Sequence, residues 1–411
     1  MESALNEAFE PSSTIAPRFE EPSDSKRIKD DEDGKAAQKM AKKSELPKSS
    51  TAAAVHSTPT AFQGSDAGDE VPTQHSNTFE YISHPDIEVD DDRTDHGSDT
   101  DSALGSMPAS STVSLRSSVY EYIEENGRTY HAFNAGKYIG PNDEIEQERL
   151  DLQHHLFVMT MDNKLHLAPI ENPQHVLDIA TGTGIWAIEF AQLYPSSTVL
   201  GTDLSPIQPS FIPPNCQFRI DDAEEEWIYN QSFDYIHGRA LVSCFRDPPS
   251  VIKSIFANLN PGGYFEFQDP IMPLRSIDGS LAGTSLDLFQ KSCMEAAEKL
   301  GRPWTNGKNY GRWMREAGFV DVVEKSYYWA TNGWVRGRQK KLQALWLNEN
   351  LKEGLPAWGL STLSRGLGWS RERIEVLIAA AREDLSNPNI HAYAECYVAY
   401  GRKPHNEGSS S

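Results

Sequence analysis

The chain has 411 residues and a formal net charge of −22, unevenly spread: residues 1–110 hold 23 Asp and Glu against 10 Lys and Arg. That balance excludes a general nucleic-acid grip, which needs a basic surface to release counterions, and it disfavours polyanionic substrates. Cys216, Cys244, Cys293 and Cys396 are widely scattered with no C-x-x-C spacing, so neither a zinc site nor a disulfide framework is indicated. No apolar run approaches the ~18–20 residues of a membrane span, and the N-terminus lacks a signal-type apolar region. A soluble intracellular protein is expected.

Residues 1–115 are rich in Ser, Thr, Pro, Asp, Glu and Ala and nearly free of aromatic side chains. They cannot bury enough apolar surface to offset chain entropy, and a disordered acidic tail is expected. Basic residues between Lys26 and Lys48 read either as part of a solvated polyampholyte or as a weak nuclear-import signal. The remainder, 116–405, reads as one α/β domain: an N-terminal lid (116–170), a ligand-binding core (171–270) and a substrate-side half with the last strands (271–405). In the lid, Asp143 to Met161 is predicted helical, with Asn142 or Asp143 as N-cap and Ile145, Leu152, Leu156 and Met159 along the buried side. Tyr130, His131 and Tyr138 either line a cofactor pocket or pack beneath this helix.

The core is organised around His175 to Ala191. Val176, Leu177 and Ile179 read as a buried strand, Gly182 and Gly184 as a sharp turn, and the run from Ile185 as a helix closed before Pro195. A helix N-terminus behind a glycine loop suits an anionic group, which can be a nucleotide phosphate or a free carboxylate. Gly182, Gly184 and Ala187 also satisfy the loose dinucleotide fingerprint, so a nicotinamide oxidoreductase stays open on that motif. Asp178 argues for another ligand: it can hold the loop and reach an ammonium, from which a pyrophosphate gains nothing. S-adenosylmethionine (SAM), with an amino-acid head and an adenosine body, fits better. Strand Thr198 to Asp203 ends in a carboxylate placed to accept both ribose hydroxyls. The strand from Cys216 leads to Asp221-Asp222-Ala223, where Asp222 and the Ala223 backbone are the candidates for adenine. Phe233 to Arg239 is the fourth strand, at a switch point that brings His237 and Arg239 toward a methyl acceptor. His237 is a candidate general base or a packed strand-end histidine. Glu266, Gln268 and Asp269 fall near the pocket rim, and seven tryptophans between Trp304 and Trp369 line a substrate cavity or fill the core. Helices are predicted over 339–353 and 370–385, and the last strand as the antiparallel partner of 320–329.

Glu125-Asn-Gly-Arg-Thr-Tyr-His, Arg149-Leu-Asp, Val176 to Trp186, Gly201-Thr-Asp-Leu-Ser-Pro-Ile-Gln-Pro, Asp221-Asp-Ala, Phe233 to Arg239 and Pro261-Gly-Gly together resemble the class I SAM-dependent methyltransferases, and among them the fungal LaeA-like methyltransferases associated with control of secondary metabolism. The likeness spans about residues 120–400. It implies a Rossmann-like α/β fold with a seven-stranded sheet. On the matching positions it puts SAM against Asp178, Ala180, Thr181, Gly182, Gly184, Asp203, Leu204, Asp222 and Ala223, with Tyr130 from the lid. Ala180 stands where the family usually has glycine. The resemblance also implies nuclear or cytoplasmic residence and a velvet-type regulatory protein as partner, and it assigns no catalytic base and no metal. Three functions follow as expectations: a LaeA-like regulator, a pathway methyltransferase for a small aromatic or polyketide-like product, or a SAM-binding scaffold without turnover.

Overall fold

The computed structural model describes residues 87–90 and 121–405; the rest of the expected tail, including the basic residues Lys26 to Lys48, lies outside the described residues. The lid opens with a hairpin of β1 (Tyr122–Glu125) and β2 (Arg128–His131). Asn126 and Gly127 join them with φ of +53° and +77°, the left-handed pair that a two-residue hairpin turn requires. Helix α1 (Glu144–Thr160) is capped by Asp143, whose carboxylate accepts the Glu146 N–H at 3.1 Å and pairs with Arg128 at 2.5 Å.

The buried side of α1 departs from the expected apolar row. Ile145 is 54% exposed, while Glu146, Arg149, Gln153, His154, Leu156, Phe157 and Thr160 face inward. The inner face is polar because its charges are paired within the protein: Arg149 bonds Glu146 at 2.7 Å and donates to Asn350 Oδ1 at 2.6 Å.

The central sheet takes β3 (His175–Ile179), β4 (Thr198–Asp203), β5 (Cys216–Ile220), β6 (Phe233–Arg239), β7 (Leu259–Ser276), β8 (Val320–Ala330) and β9 (Ala392–Arg402) in the order β5-β4-β3-β6-β7-β9-β8. The first five strands in that order run parallel, and β9 is antiparallel to both neighbours, as expected for the last strand. Helices α2 (Ile185–Leu193) and α3 (Pro248–Asn258) cover opposite faces. Val176 packs with Val199, Trp186 and Phe190, whereas Leu177 and Ile179 pack with Val251, Ile252 and Ile255. This near-continuous apolar run is what a strand covered on both faces requires.

Beyond β7, α4 (Ser285–Lys299) and α5 (Tyr310–Ala317) precede β8, and α6 (Arg338–Leu367) and α7 (Arg371–Ser386) precede β9. Ser370 caps α7, and Ile374, Leu377, Ile378 and Ala381 are buried as predicted. Helix α6 runs well past its predicted end, through Pro356. Proline cannot donate to the carbonyl four residues back. Arg382 replaces that donor, bonding the Lys352 carbonyl through Nε at 3.2 Å and Nη2 at 3.0 Å. No described helix is long and apolar enough to cross a membrane.

Four residues of the expected structureless tail are docked, which corrects that expectation locally. Ile87 is buried, Val89 bridges Val335, the Arg336 N–H donates to the Glu88 carbonyl at 2.8 Å, and the Asp90 N–H donates to the Trp334 carbonyl at 2.9 Å. Glu88 and Asp90 also pair with Arg336 and Lys341. Composition misses this because one isoleucine suffices where a preformed apolar niche receives it. Ile87→Ala is expected to lower unfolding free energy by about 1–3 kcal/mol in urea denaturation; an unchanged midpoint would show that the docked segment adds nothing.

Candidate functional site

The sheet order reverses between β3 and β6, and their diverging C-terminal ends open a crevice. It holds a cavity, partly open to solvent, lined from the lid and from the ends of β3, β4 and β6. Ala180 after β3 and Ala240 after β6 both take left-handed backbone, with φ of +50° and +56°, and both line the cavity. Each small side chain turns its strand end away without filling the space, at a cost of about 1–2 kcal/mol relative to glycine.

The glycine loop is held from β4. Asp203 is half-buried among its partners: Oδ2 accepts the Gly182 N–H at 2.8 Å and Oδ1 accepts the Ser205 N–H at 2.9 Å. Burial pushes this carboxyl up to about 6, against the opposing pull of those N–H donors. Each oxygen keeps a lone pair, so the group can clamp the loop and still accept hydroxyls. Gly182, at φ +60°, would direct a Cβ toward nothing nearer than Leu150 at 3.6 Å; it lines the cavity, as do Thr181 and Leu204.

Gly184 has a different task from the expected ligand contact. It caps α2 at φ +80°, does not line the cavity, and a Cβ there would run into the Phe218 ring. Gly184→Ala is therefore expected to destabilise the fold by about 1–3 kcal/mol through backbone strain and overpacking. Thermal melts of the ligand-free protein would show it, and a loss of ligand affinity with an unchanged melt would point back to direct contact.

Asp178 is buried and accepts from Thr181 Oγ1 at 2.5 Å and from His237 Nδ1 at 2.7 Å. A carboxylate can only accept, so Nδ1 carries the proton. The His237 ring is fully buried and stacked on Trp186, with centroids 3.7 Å apart and planes 6° apart. The bond to Asp178 fixes the tautomer that leaves the Nε2 lone pair of His237 without a partner at the cavity, so His237 both positions Asp178 and stays the candidate base.

Asp222 lines the cavity beside Ala223 and holds down the lid. Its Oδ2 accepts from Lys137 Nζ at 2.5 Å and Asn134 Nδ2 at 2.8 Å, and its Oδ1 accepts the Glu224 N–H at 2.9 Å. Burial pushes this carboxyl up, but Lys137 and the other donors win and hold it below the usual range. Tyr130 and His131 lie outside the cavity lining, which Tyr138 joins; Tyr130 packs under the Arg365 guanidinium, 4.9 Å from its ring centre. The residues missed in sequence, Lys137, Asn142, Gln153 and His154, line the cavity from the lid. Gln153 and His154 belong to the polar inner row of α1, whereas Lys137 and Asn142 come from the segment that precedes the helix.

Glu266, Gln268 and Asp269 are fully buried and none reaches the cavity. The tryptophans from Trp304 to Trp369 also stay out of it and pack in the apolar cores. His154, His155 and Glu189 bring donor atoms within 4.8 Å of one another, the spacing of a metal site. The hydrogen bonds argue otherwise: Arg239 Nη2 donates to His154 Nδ1 at 2.6 Å, so the neutral ring carries its proton on Nε2, directed at Glu189 at 2.9 Å. His154 therefore keeps no lone pair for a cation, which removes one of the three ligands.

A family model described as a methyltransferase domain matches residues 152–324. The chain is 36% identical to the methyltransferase pytC of Aspergillus terreus over 299 residues, covering 72% of this chain and 92% of that one. It belongs to the class I SAM-dependent methyltransferases. LaeA proteins are relatives at the same distance: the secondary metabolism regulator laeA of Monascus pilosus is 35% identical, covering 74% of this chain and 83% of the other. The protein-methionine methyltransferase laeA of Emericella nidulans is 36% identical, covering 73% and 81%. The cofactor of this methyltransferase is SAM, and the cavity suits it: buried Asp178 and half-buried Asp203 face the space from adjacent strands, and the loop position left open beside Leu150 is Gly182.

Proposed function

We propose that this methyltransferase acts as a LaeA-like regulator and passes the SAM methyl group to a neutral nucleophile that carries no proton, a methionine thioether in a protein. What supports this reading is that the carboxylates lining the cavity among the described residues are already engaged, so that His237, through its unpartnered Nε2, is the one histidine there with a ring nitrogen left open. Asp178 is bonded to Thr181 and His237, and Asp222 to Lys137 and Asn134. Asp221 accepts from Tyr229, and Glu224 from Arg302. His154, desolvated and next to Arg239, is pushed down to about 2. Burial holds Tyr138 and Cys244 in their protonated forms, both pushed upward.

A thioether needs none of these groups. Its sulfur lone pair forms the new S–CH3 bond as the bond from the methyl carbon to the SAM sulfonium breaks; the positive charge moves to the acceptor and no proton changes place. The protein's contribution is alignment and exclusion of water. The Emericella nidulans relative, a protein-methionine methyltransferase, supports the same acceptor. A velvet-type regulatory protein is the partner this reading expects.

The pathway-enzyme reading keeps one specific support, the 36% identity to pytC. Incubation with methyl-labelled SAM and a cell extract, fractionated into protein and small molecules, separates the two. Label on protein methionine supports the regulator, label in metabolites moves the chain to the pathway enzymes, and no label anywhere leaves a SAM-binding scaffold.

A further inference from the structure

Three buried arginines of this protein have carboxylate partners: Arg128 with Asp143 at 2.5 Å, Arg149 with Glu146 at 2.7 Å and Arg302 with Glu224 at 2.9 Å. Arg239 does not. Its Nη2 donates to the neutral ring of His154, its guanidinium carbon lies 5.2 Å from the centre of the Phe157 ring, and its buried Nη1 has no acceptor among the described residues. Burial pushes it down to about 10, with Asp178 foremost among the charges opposing that fall. A half-buried guanidinium whose buried Nη1 lacks an acceptor leaves a costly gap, and such a gap is retained where a ligand supplies the missing charge.

Asp178 presents the complementary gap. It is a buried carboxylate whose hydrogen-bond donors are a threonine and a histidine, with no lysine or arginine bonded to it. Both groups line the same cavity, from the ends of the neighbouring parallel strands β3 and β6. A ligand with an ammonium and a carboxylate on one carbon fills both gaps together. The amino-acid head of SAM is such a group.

We infer that Arg239 receives the carboxylate of the SAM amino-acid head while Asp178 receives its ammonium. Arg239 is thus a cofactor-positioning residue, not a contact for the methyl acceptor as its place on the fourth strand suggests. The Nε2–H of His154 rests on Glu189, so its Nδ1 lone pair stays available to fix the guanidinium plane. Arg239 then needs no rearrangement to meet a carboxylate.

Calorimetric titration of the full chain with SAM, decarboxylated SAM and 5′-methylthioadenosine tests this without relying on turnover. Wild type is expected to bind decarboxylated SAM about 10–150-fold more weakly than SAM, the worth of a charged hydrogen bond. In Arg239→Met that gap closes, because SAM falls to the level of its decarboxylated analogue while both analogues bind as before; Arg239→Lys restores part of it. An equal loss for all three ligands would make Arg239 a merely structural residue and overturn the assignment. Unchanged SAM binding with impaired methyl transfer would hand Arg239 to the acceptor. Should Arg239→Met fail to fold, the wild-type pair still decides, since equal affinity for SAM and decarboxylated SAM contradicts any carboxylate receptor here.

Discussion

Replacing Asp203 by alanine is expected to weaken SAM binding by roughly 10²–10³-fold, about 3–4 kcal/mol. Two losses combine. The ribose hydroxyls lose a charged acceptor, and the N–H groups of Gly182 and Ser205 lose the carboxylate that now fixes the loop. The same residue sets a pH dependence. Burial raises Asp203 from the ordinary 3.8 to about 6, and only the ionised form accepts from both hydroxyls, so SAM affinity should fall as pH drops through 6. In the ligand-free protein the sign is opposite: the stability Asp203 contributes is present below pH 3.8 and is lost as pH rises through 6. Asp203→Asn should bind weakly and show neither trend. Titrations at several pH values would read both, and a wild-type affinity flat from pH 5 to 7 would remove Asp203 from the ribose.

Glu266→Ala should cost about 3–5 kcal/mol of folding stability. This fully buried carboxylate accepts the N–H of Leu167 at 2.9 Å and of Ala168 at 2.6 Å, the Gln268 amide at 2.8 Å and the Tyr235 hydroxyl at 3.2 Å. Alanine leaves the Ala168 N–H and the Tyr235 hydroxyl buried and unpaired, each at about 1–3 kcal/mol before relaxation, and takes the partner of the Leu167 N–H, while the Gln268 amide keeps its bond to the Leu165 carbonyl. Because Leu167 and Ala168 join the lid to β3, the lid should loosen first, visible as faster hydrogen exchange over residues 144–170. Urea unfolding within 1 kcal/mol of wild type would contradict this.

Strands β3 to β6 were legible because each is a short run with an acid or a glycine at or near its C-terminal end. Asp178 and Asp203 could be placed from spacing alone, since a βαβ unit fixes where strand ends fall. Legibility failed where a residue's partner lies far away in sequence. The inner face of α1 is polar because Arg149 meets Asn350 and His154 meets Arg239. Pro356 sits within a helix because Arg382 supplies its missing donor. Gly184 was read as making room for a ligand, but the space it leaves belongs to Phe218, one strand further out. Glu266 looked like a rim acid, and only the fold reveals two backbone N–H groups waiting for it. In all four cases contacts from distant parts of the chain decided the residue's use.

A crystal structure of the full chain with S-adenosylhomocysteine tests the central claim most directly. The ligand should lie at the β3, β4 and β6 strand ends, with its ribose on Asp203, its ammonium on Asp178 and its carboxylate on Arg239. Density for the ligand elsewhere, or in this cavity with its amino-acid head away from Asp178 and Arg239, would contradict the account.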